Sequence, residues 1–120
     1  MFSLSSSDRY LFYGAPTDMR KSFDGLCGLV ERELDRSPIN GEVFVFLNRG
    51  RDKVKLLKWE KGGFVLFYKR LEAGTFERPV MDEQSSAMHW PDLVMMIEGM
   101  RPEKVRYRKR FDPQRNVDNK

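Results

Sequence analysis

Three runs in the middle of the chain restrict its architecture more than any other feature. Residues 42–48 (EVFVFLN), 53–60 (KVKLLKWE) and 64–72 (FVLFYKRLE) are rich in β-branched and aromatic residues, the composition of pleated, half-buried strands. The loop over 48–52 and the turn Lys61-Gly62-Gly63 are too short to carry a crossover. Consecutive runs must therefore reverse direction and pair as antiparallel hairpins. The first run is apolar on both faces, as a strand covered from two sides is. Residues 74–80 (GTFERPV) are a candidate fourth pass, which Pro79 confines to an edge or a strand end. Upstream, residues 8–13 read as a short strand that Gly14 to Pro16 break.

Helical signals flank this β-rich centre. Thr17 is a good N-cap, and Met19, Phe23, Leu26, Cys27, Val30 and Leu34 then share one stripe of a helical projection. The stripe predicts a helix to about residue 35, where Ser37-Pro38 and Asn40-Gly41 stop it. Pro91 suits the first turn of a shorter helix reaching Glu98, with Leu93, Val94, Met96 and Ile97 as packing residues and Gly99 as its end. Residues 104–111 alternate, a strand if the apolar parity is accepted and a flexible basic arm if it is not. The expected fold is α+β: an antiparallel meander of four to five strands, one long helix across a face and a shorter C-terminal helix. The chain of 120 residues can bury roughly two-thirds of its unfolded surface. Residues 1–100 are expected to form one domain and 101–120 a basic, partly mobile extension.

The residues that usually carry chemistry are sparse. Cys27 and His89 are the only cysteine and histidine, which excludes an internal disulfide and a Cys/His zinc cage. Asp18 and Asp24 lie six apart, about 240° around a helix, so they do not share a face. Asp52 sits between arginines in a loop, where stabilising a turn is its expected work. Cys27 belongs to an apolar stripe and reads as inert core, and His89 as a capping or surface residue. Neither Gly62-Gly63 nor Gly25-x-x-Gly28 stands in the context of a phosphate loop. No catalytic residue, metal or cofactor is expected. The longest apolar run, residues 43–47, falls far short of a membrane span, and the opening residues carry no basic-then-apolar leader. A cytoplasmic location without a membrane role is the expectation.

Charge is the positive signal. The net +4 is unevenly spread: residues 49–70 hold eight Lys/Arg against Asp52 and Glu60, and residues 101–120 hold eight against three acids. A basic stripe concentrates a polyanion at a protein surface. Arg49, Arg51, Lys53, Lys55, Lys58, Lys69 and Arg70 of the hairpins, with Lys104, Arg106, Arg108 and Arg110 of the tail, are the candidate DNA-contacting residues. Trp59 and Tyr68 lie among them, where an aromatic can stack a base or simply belong to the core. Gly25 and Gly28 fall opposite the apolar stripe, in line with Lys21 and Arg32. A neighbouring hairpin packed there, or a phosphate backbone or partner protein held by Lys21 and Arg32, is the reason such glycines suggest.

The run Thr17-Asp18-Met19-Arg20-Lys21-Ser22-Phe23-Asp24-Gly25-Leu26 resembles the N-terminal signature of TnpB-type accessory proteins, encoded by the second open reading frame of the insertion-sequence family numbered sixty-six. Residues 44–48 followed by Arg49, Arg51, Asp52, Val54, Lys55, Leu56, Leu57 and Trp59 are similar to that family's central block. Gly63-Phe64, Lys69-Arg70-Leu71-Glu72, Gly74-x-Phe76 and Pro79 resemble its third, and residues 93–99 its closing helix. The resemblance covers about residues 8–100 and implies a small protein of a bacterial mobile element that acts beside a separate transposase, with no catalytic residues to carry over. Two expectations follow: a non-enzymatic transposition factor that binds DNA through the hairpins and the tail, or an adaptor that docks the transposase or another accessory subunit. Exposed strand edges offer pairing of two copies.

Overall fold

The computed structural model describes residues 4–79, 81, 86–101 and 106–107. The three central runs form β2 (Val43–Leu47), β3 (Lys53–Glu60) and β4 (Gly63–Arg70), paired antiparallel from Val43↔Lys58 to Leu47↔Val54 and from Lys53↔Arg70 to Glu60↔Gly63. The β3–β4 connection is two residues, Lys61 and Gly62, both at positive φ (38° and 85°). Those angles suit a hairpin turn whose twist matches its strands.

The remaining strands correct the expectation of a purely antiparallel sheet. β1 (Tyr10–Phe12) lies parallel to β2 in the register Tyr10↔Val43, and β5 (Ala87–Met88) closes the other side of β1 antiparallel. The sheet is therefore mixed, in the order β4-β3-β2-β1-β5. The physical reason is the intervening helix, α1 (Phe23–Glu33): a crossover of this length returns the chain in the direction it left. Residues 74–79 form no strand; Phe76 is instead fully buried, and its N–H donates to the Arg51 carbonyl at 2.6 Å. After α2 (Trp90–Glu98), the short strands β6 (Met100–Arg101) and β7 (Arg106–Tyr107) pair with each other outside the main sheet.

Strand alternation divides the core in two. Tyr10, Phe12, Val43, Val45, Leu47, Val54 and Leu56 join Leu93, Met96 and Ile97 of α2 on one side, with Phe76 and Met88 completing the cluster. Leu11, Phe44, Phe46 and Leu57 point the other way and meet Leu26, Leu29 and Val30 of α1. The sheet thus stands between two helices, each burying one face, which explains why β1 and β2 are buried at every position. α2 begins with proline in its first turn and ends on Gly99 at φ 84°, as the sequence suggests.

The first helix is shorter than its apolar stripe. Thr17 is not its N-cap; that position falls to Ser22, and α1 has 11 residues, so the expected long helix is absent. Residues 17–21 instead lie across the sheet end, where the Thr17 N–H donates to the Leu47 carbonyl at 2.9 Å. Lys55 of β3 takes the carbonyls of Met19 and Lys21, at 2.7 Å each, which a helix through these residues would have used internally. Beyond α1, the buried Glu42 ties the turn together. It accepts from Nε and Nη2 of Arg36 at 2.7 Å each and from Asn40 at 2.6 Å, and pairs with Arg9. The cations around it hold its carboxyl below the ordinary value, with the Arg36 bonds the largest cause.

Candidate nucleic-acid interface

The β2–β3 loop is shaped by Asn48. Its Oδ1 accepts from the N–H groups of Asp52 and Lys53, while its Nδ2 donates to the Asp52 carboxylate at 2.8 Å. Asp52 is thus a turn-stabilising acid, as its place in the sequence suggests. Arg51 occupies the left-handed region (φ 59°), which turns Arg49, Gly50 and Arg51 outward into solvent.

This loop faces the 17–21 segment that Lys55 pins down. Between them lies an open cleft of about 490 Å³, lined by residues 17–20 and 48–50 with Lys53 and Tyr68. Two sequence blocks some thirty residues apart therefore meet at one site. Arg49, Lys53 and Arg20 supply its positive charge, and Asp18 its negative charge. Arg20 grips Asp18 through Nη2 at 2.6 Å and Nε at 3.0 Å, and that grip holds the Asp18 carboxyl at about 2. Tyr68 is half exposed, with the Lys55 ammonium 4.7 Å from its ring centroid. Thr17 is only 4% exposed, and its Oγ1 has no hydrogen-bond partner among the described residues.

The hairpin cations do not share one surface. Lys53, Lys55 and Arg70 fall on the α1 side of the sheet with Tyr68, whereas Lys58 and Lys69 fall on the α2 side with Val54 and Leu56. Lys55 is buried, and loss of hydration pushes its ammonium below the ordinary lysine value. It serves as a structural bolt. Lys58, 14% exposed at its side chain, pairs with Asp8 at 3.2 Å and Glu60 at 3.5 Å. Lys69 donates to the Ile97 carbonyl at 3.2 Å, placing a cation at the C-terminal end of α2 where that helix carries no basic residue of its own. Lys53 lies beside Asp52 at 3.4 Å, and Arg70 beside Glu72 at 2.9 Å in a largely exposed pair. Such surface pairs are weak and yield readily to a stronger anion.

Arg106 lies in β7, while Lys104, Arg108 and Arg110 lie outside the described residues. Among the described residues no neighbouring hairpin explains Gly25 and Gly28. The three atoms nearest a Cβ at Gly25 belong to Lys21, the closest at 3.1 Å, and those nearest one at Gly28 belong to Arg32. Trp59 packs edge-on against Phe64, 5.0 Å between centroids, and so has a structural role. Cys27 is partly covered by the α1 cluster, and burial pushes its thiol up, away from reactivity. His89 is the N-cap residue of α2 but makes no side-chain capping bond. Charge counting over 49–70 missed Thr17, Asp18 and Arg20, because their contribution depends on contact with a distant loop. Their only signal in the sequence was the motif at 17–26.

Among the described residues no group of three or more His, Cys, Asp or Glu is placed to hold a metal ion, and no helix is long and apolar enough to cross a membrane. A mixed sheet between two helices, with an open cleft at the sheet end that carries Arg20, Arg49 and Lys53, defines a small α+β protein. The chain belongs to the family described as IS66 Orf2 like protein, which matches residues 8–107. Membership implies an accessory role in transposition. Among its relatives in Sinorhizobium fredii (strain NBRC 101917 / NGR234), the uncharacterized protein y4jC is 28% identical over 100 residues, covering 83% of this chain and 86% of the relative. The uncharacterized protein y4hO is 34% identical over 85 residues, covering 70% and 73%. No solved structure matches the chain significantly.

Proposed function

We propose that the protein is a non-enzymatic accessory factor of transposition that holds DNA by phosphate contacts at the rim of this cleft. Arg49 and Arg51 make the primary contacts, while Lys53 and Arg70 exchange weak carboxylate partners for phosphate. The observation that supports this reading is the meeting of the 17–20 segment with the 48–53 loop, which gathers cations separated in the sequence onto one side of the sheet. Contacts of this kind position DNA without reading its sequence.

An electrophoretic shift across a salt series tests the reading, with element-end and random duplexes compared. Each neutralised phosphate contributes a slope of about −0.9 in log affinity against log salt. The double variant Arg49→Gln/Arg51→Gln should therefore flatten the slope by close to two such increments, whereas a salt-independent affinity overturns the proposal. The same series after deletion of residues 101–120 measures what the basic extension adds. The adaptor reading, docking of the transposase or another accessory subunit, draws support from Lys55, Lys58 and Lys69 being engaged inside the protein. Co-purification of the transposase that survives nuclease treatment and the Arg49/Arg51 substitutions would favour it.

A further inference from the structure

Three features of the cleft are left unused by the contacts proposed above. The first is Thr17, only 4% exposed, whose Oγ1 has no partner among the described residues although the residue lines an open cleft. Buried hydroxyls in folded proteins almost always have a partner, so an orphan beside a cleft points to a group that arrives from outside. The second is Tyr68, 51% exposed on the cleft wall. The Lys55 ammonium occupies one ring face at 4.7 Å, which leaves the other for a planar group. The third is size: about 490 Å³ lies in the range that receives single small-molecule-sized groups.

We infer that the cleft takes an unpaired stretch of DNA, with one base stacked on Tyr68 and the adjoining phosphate held by Arg49, Lys53 and the Thr17 hydroxyl. The inference rests on the DNA-binding reading and narrows its substrate. In a duplex each base is already stacked between its neighbours, and an aromatic wall has no base face to meet. In a single strand the faces are available, and stacking on a tyrosine tolerates any base. Asp18 strengthens the case for a single nucleotide at this position. Its carboxylate, kept ionised by Arg20, repels a second phosphate from that end of the cleft and leaves the Arg49–Lys53 end as the one anion subsite.

Fluorescence anisotropy of the full chain tests the inference against four labelled probes about a dozen nucleotides long: an oligothymidylate, its duplex, an abasic strand and an oligouridylate. The expected result is tighter binding to the DNA strand than to the duplex. Tyr68→Leu should weaken strand binding roughly five- to hundred-fold while leaving the abasic strand unaffected, and Tyr68→Phe, which keeps the ring, should match the wild type. Thr17→Val, which removes the hydroxyl at nearly constant volume, should weaken both the strand and the abasic strand. Duplex binding equal to or tighter than strand binding, or a Tyr68→Leu variant that behaves as wild type, overturns the inference and leaves the DNA-binding proposal standing. Tighter binding of the oligouridylate overturns the assignment to DNA, and failure to bind any probe overturns both readings.

Discussion

Replacing Lys55 with methionine separates a structural lysine from a DNA-contacting one. The methionine keeps most of the aliphatic stem and removes the ammonium. Two bonds from that ammonium, each 2.7 Å, hold the carbonyls of Met19 and Lys21 and with them the wall of the cleft. Hydrogen bonds to charged groups contribute about 1.5–3 kcal/mol each. Part of that is returned when a costly buried charge is deleted, so the net loss should be about 2–4 kcal/mol. In a domain of this size the melting temperature should fall by roughly 8–20 °C. Urea unfolding followed by circular dichroism measures the loss directly. The pH dependence gives an independent check. Burial lowers the folded-state pKa of Lys55 below 10.5, so the unfolded chain holds the proton more tightly, and wild-type stability gains as pH climbs through the folded value toward the unfolded one. The gap between wild type and Lys55→Met should widen over that window. A loss smaller than about 1 kcal/mol, or a salt slope of DNA binding flattened by about 0.9, would refute the reasoning and return Lys55 to the phosphate-contacting set.

Asp18→Asn frees Arg20 from its carboxylate partner and should raise duplex affinity while steepening its salt dependence by up to about 0.9, measured in the same shift series. Tyr10, whose hydroxyl donates to the Ser5 carbonyl at 2.8 Å, has its phenol pushed up to about 12, chiefly by burial. Its stabilisation is complete below pH 10 and lost as pH rises toward 12, so Tyr10→Phe should remove up to about 3 kcal/mol of alkaline destabilisation when urea midpoints are compared across that range. Glu42→Gln should cost about 2–4 kcal/mol at neutral pH. Because the Glu42 pKa is depressed, it should also blunt the loss of stability as pH falls through the folded value, read from acid titration by circular dichroism. Gly28→Ala meets only the flexible end of Arg32 and should stabilise the protein by about 0.5–1 kcal/mol without altering DNA binding; reduced binding would give that helix face a functional role.

The hairpins were legible because their information is local. Gly62 marks the turn, and the β-rich runs on either side fix β3 and β4 to within a residue or two of their observed ends. α2 was legible for the same reason, framed by Pro91 and Gly99. The start of α1 was not. Met19 sits in phase with the apolar stripe and packs against the same cluster as Leu26, so periodicity alone cannot tell a packed loop from a helical turn. What decides the matter is Lys55, whose ammonium claims the loop carbonyls from more than thirty positions away. The direction of β1 was likewise a tertiary choice, set by the α1 crossover. In the cleft, Arg49 and Lys53 were visible as charge, but alternation along β3 and β4 sends Lys58 and Lys69 through to the opposite layer. A basic stretch read as one stripe is therefore, once pleated, divided between two faces of the sheet.

That partition has a consequence for the end of the chain. The cleft opens on the α1 side, while α2, from which the basic extension continues, packs against the far side. Contacts made by the cleft therefore lie on the side of the sheet opposite the helix that leads into the extension. Footprints of the full chain and of a version truncated after 101 should accordingly differ in length as well as in strength.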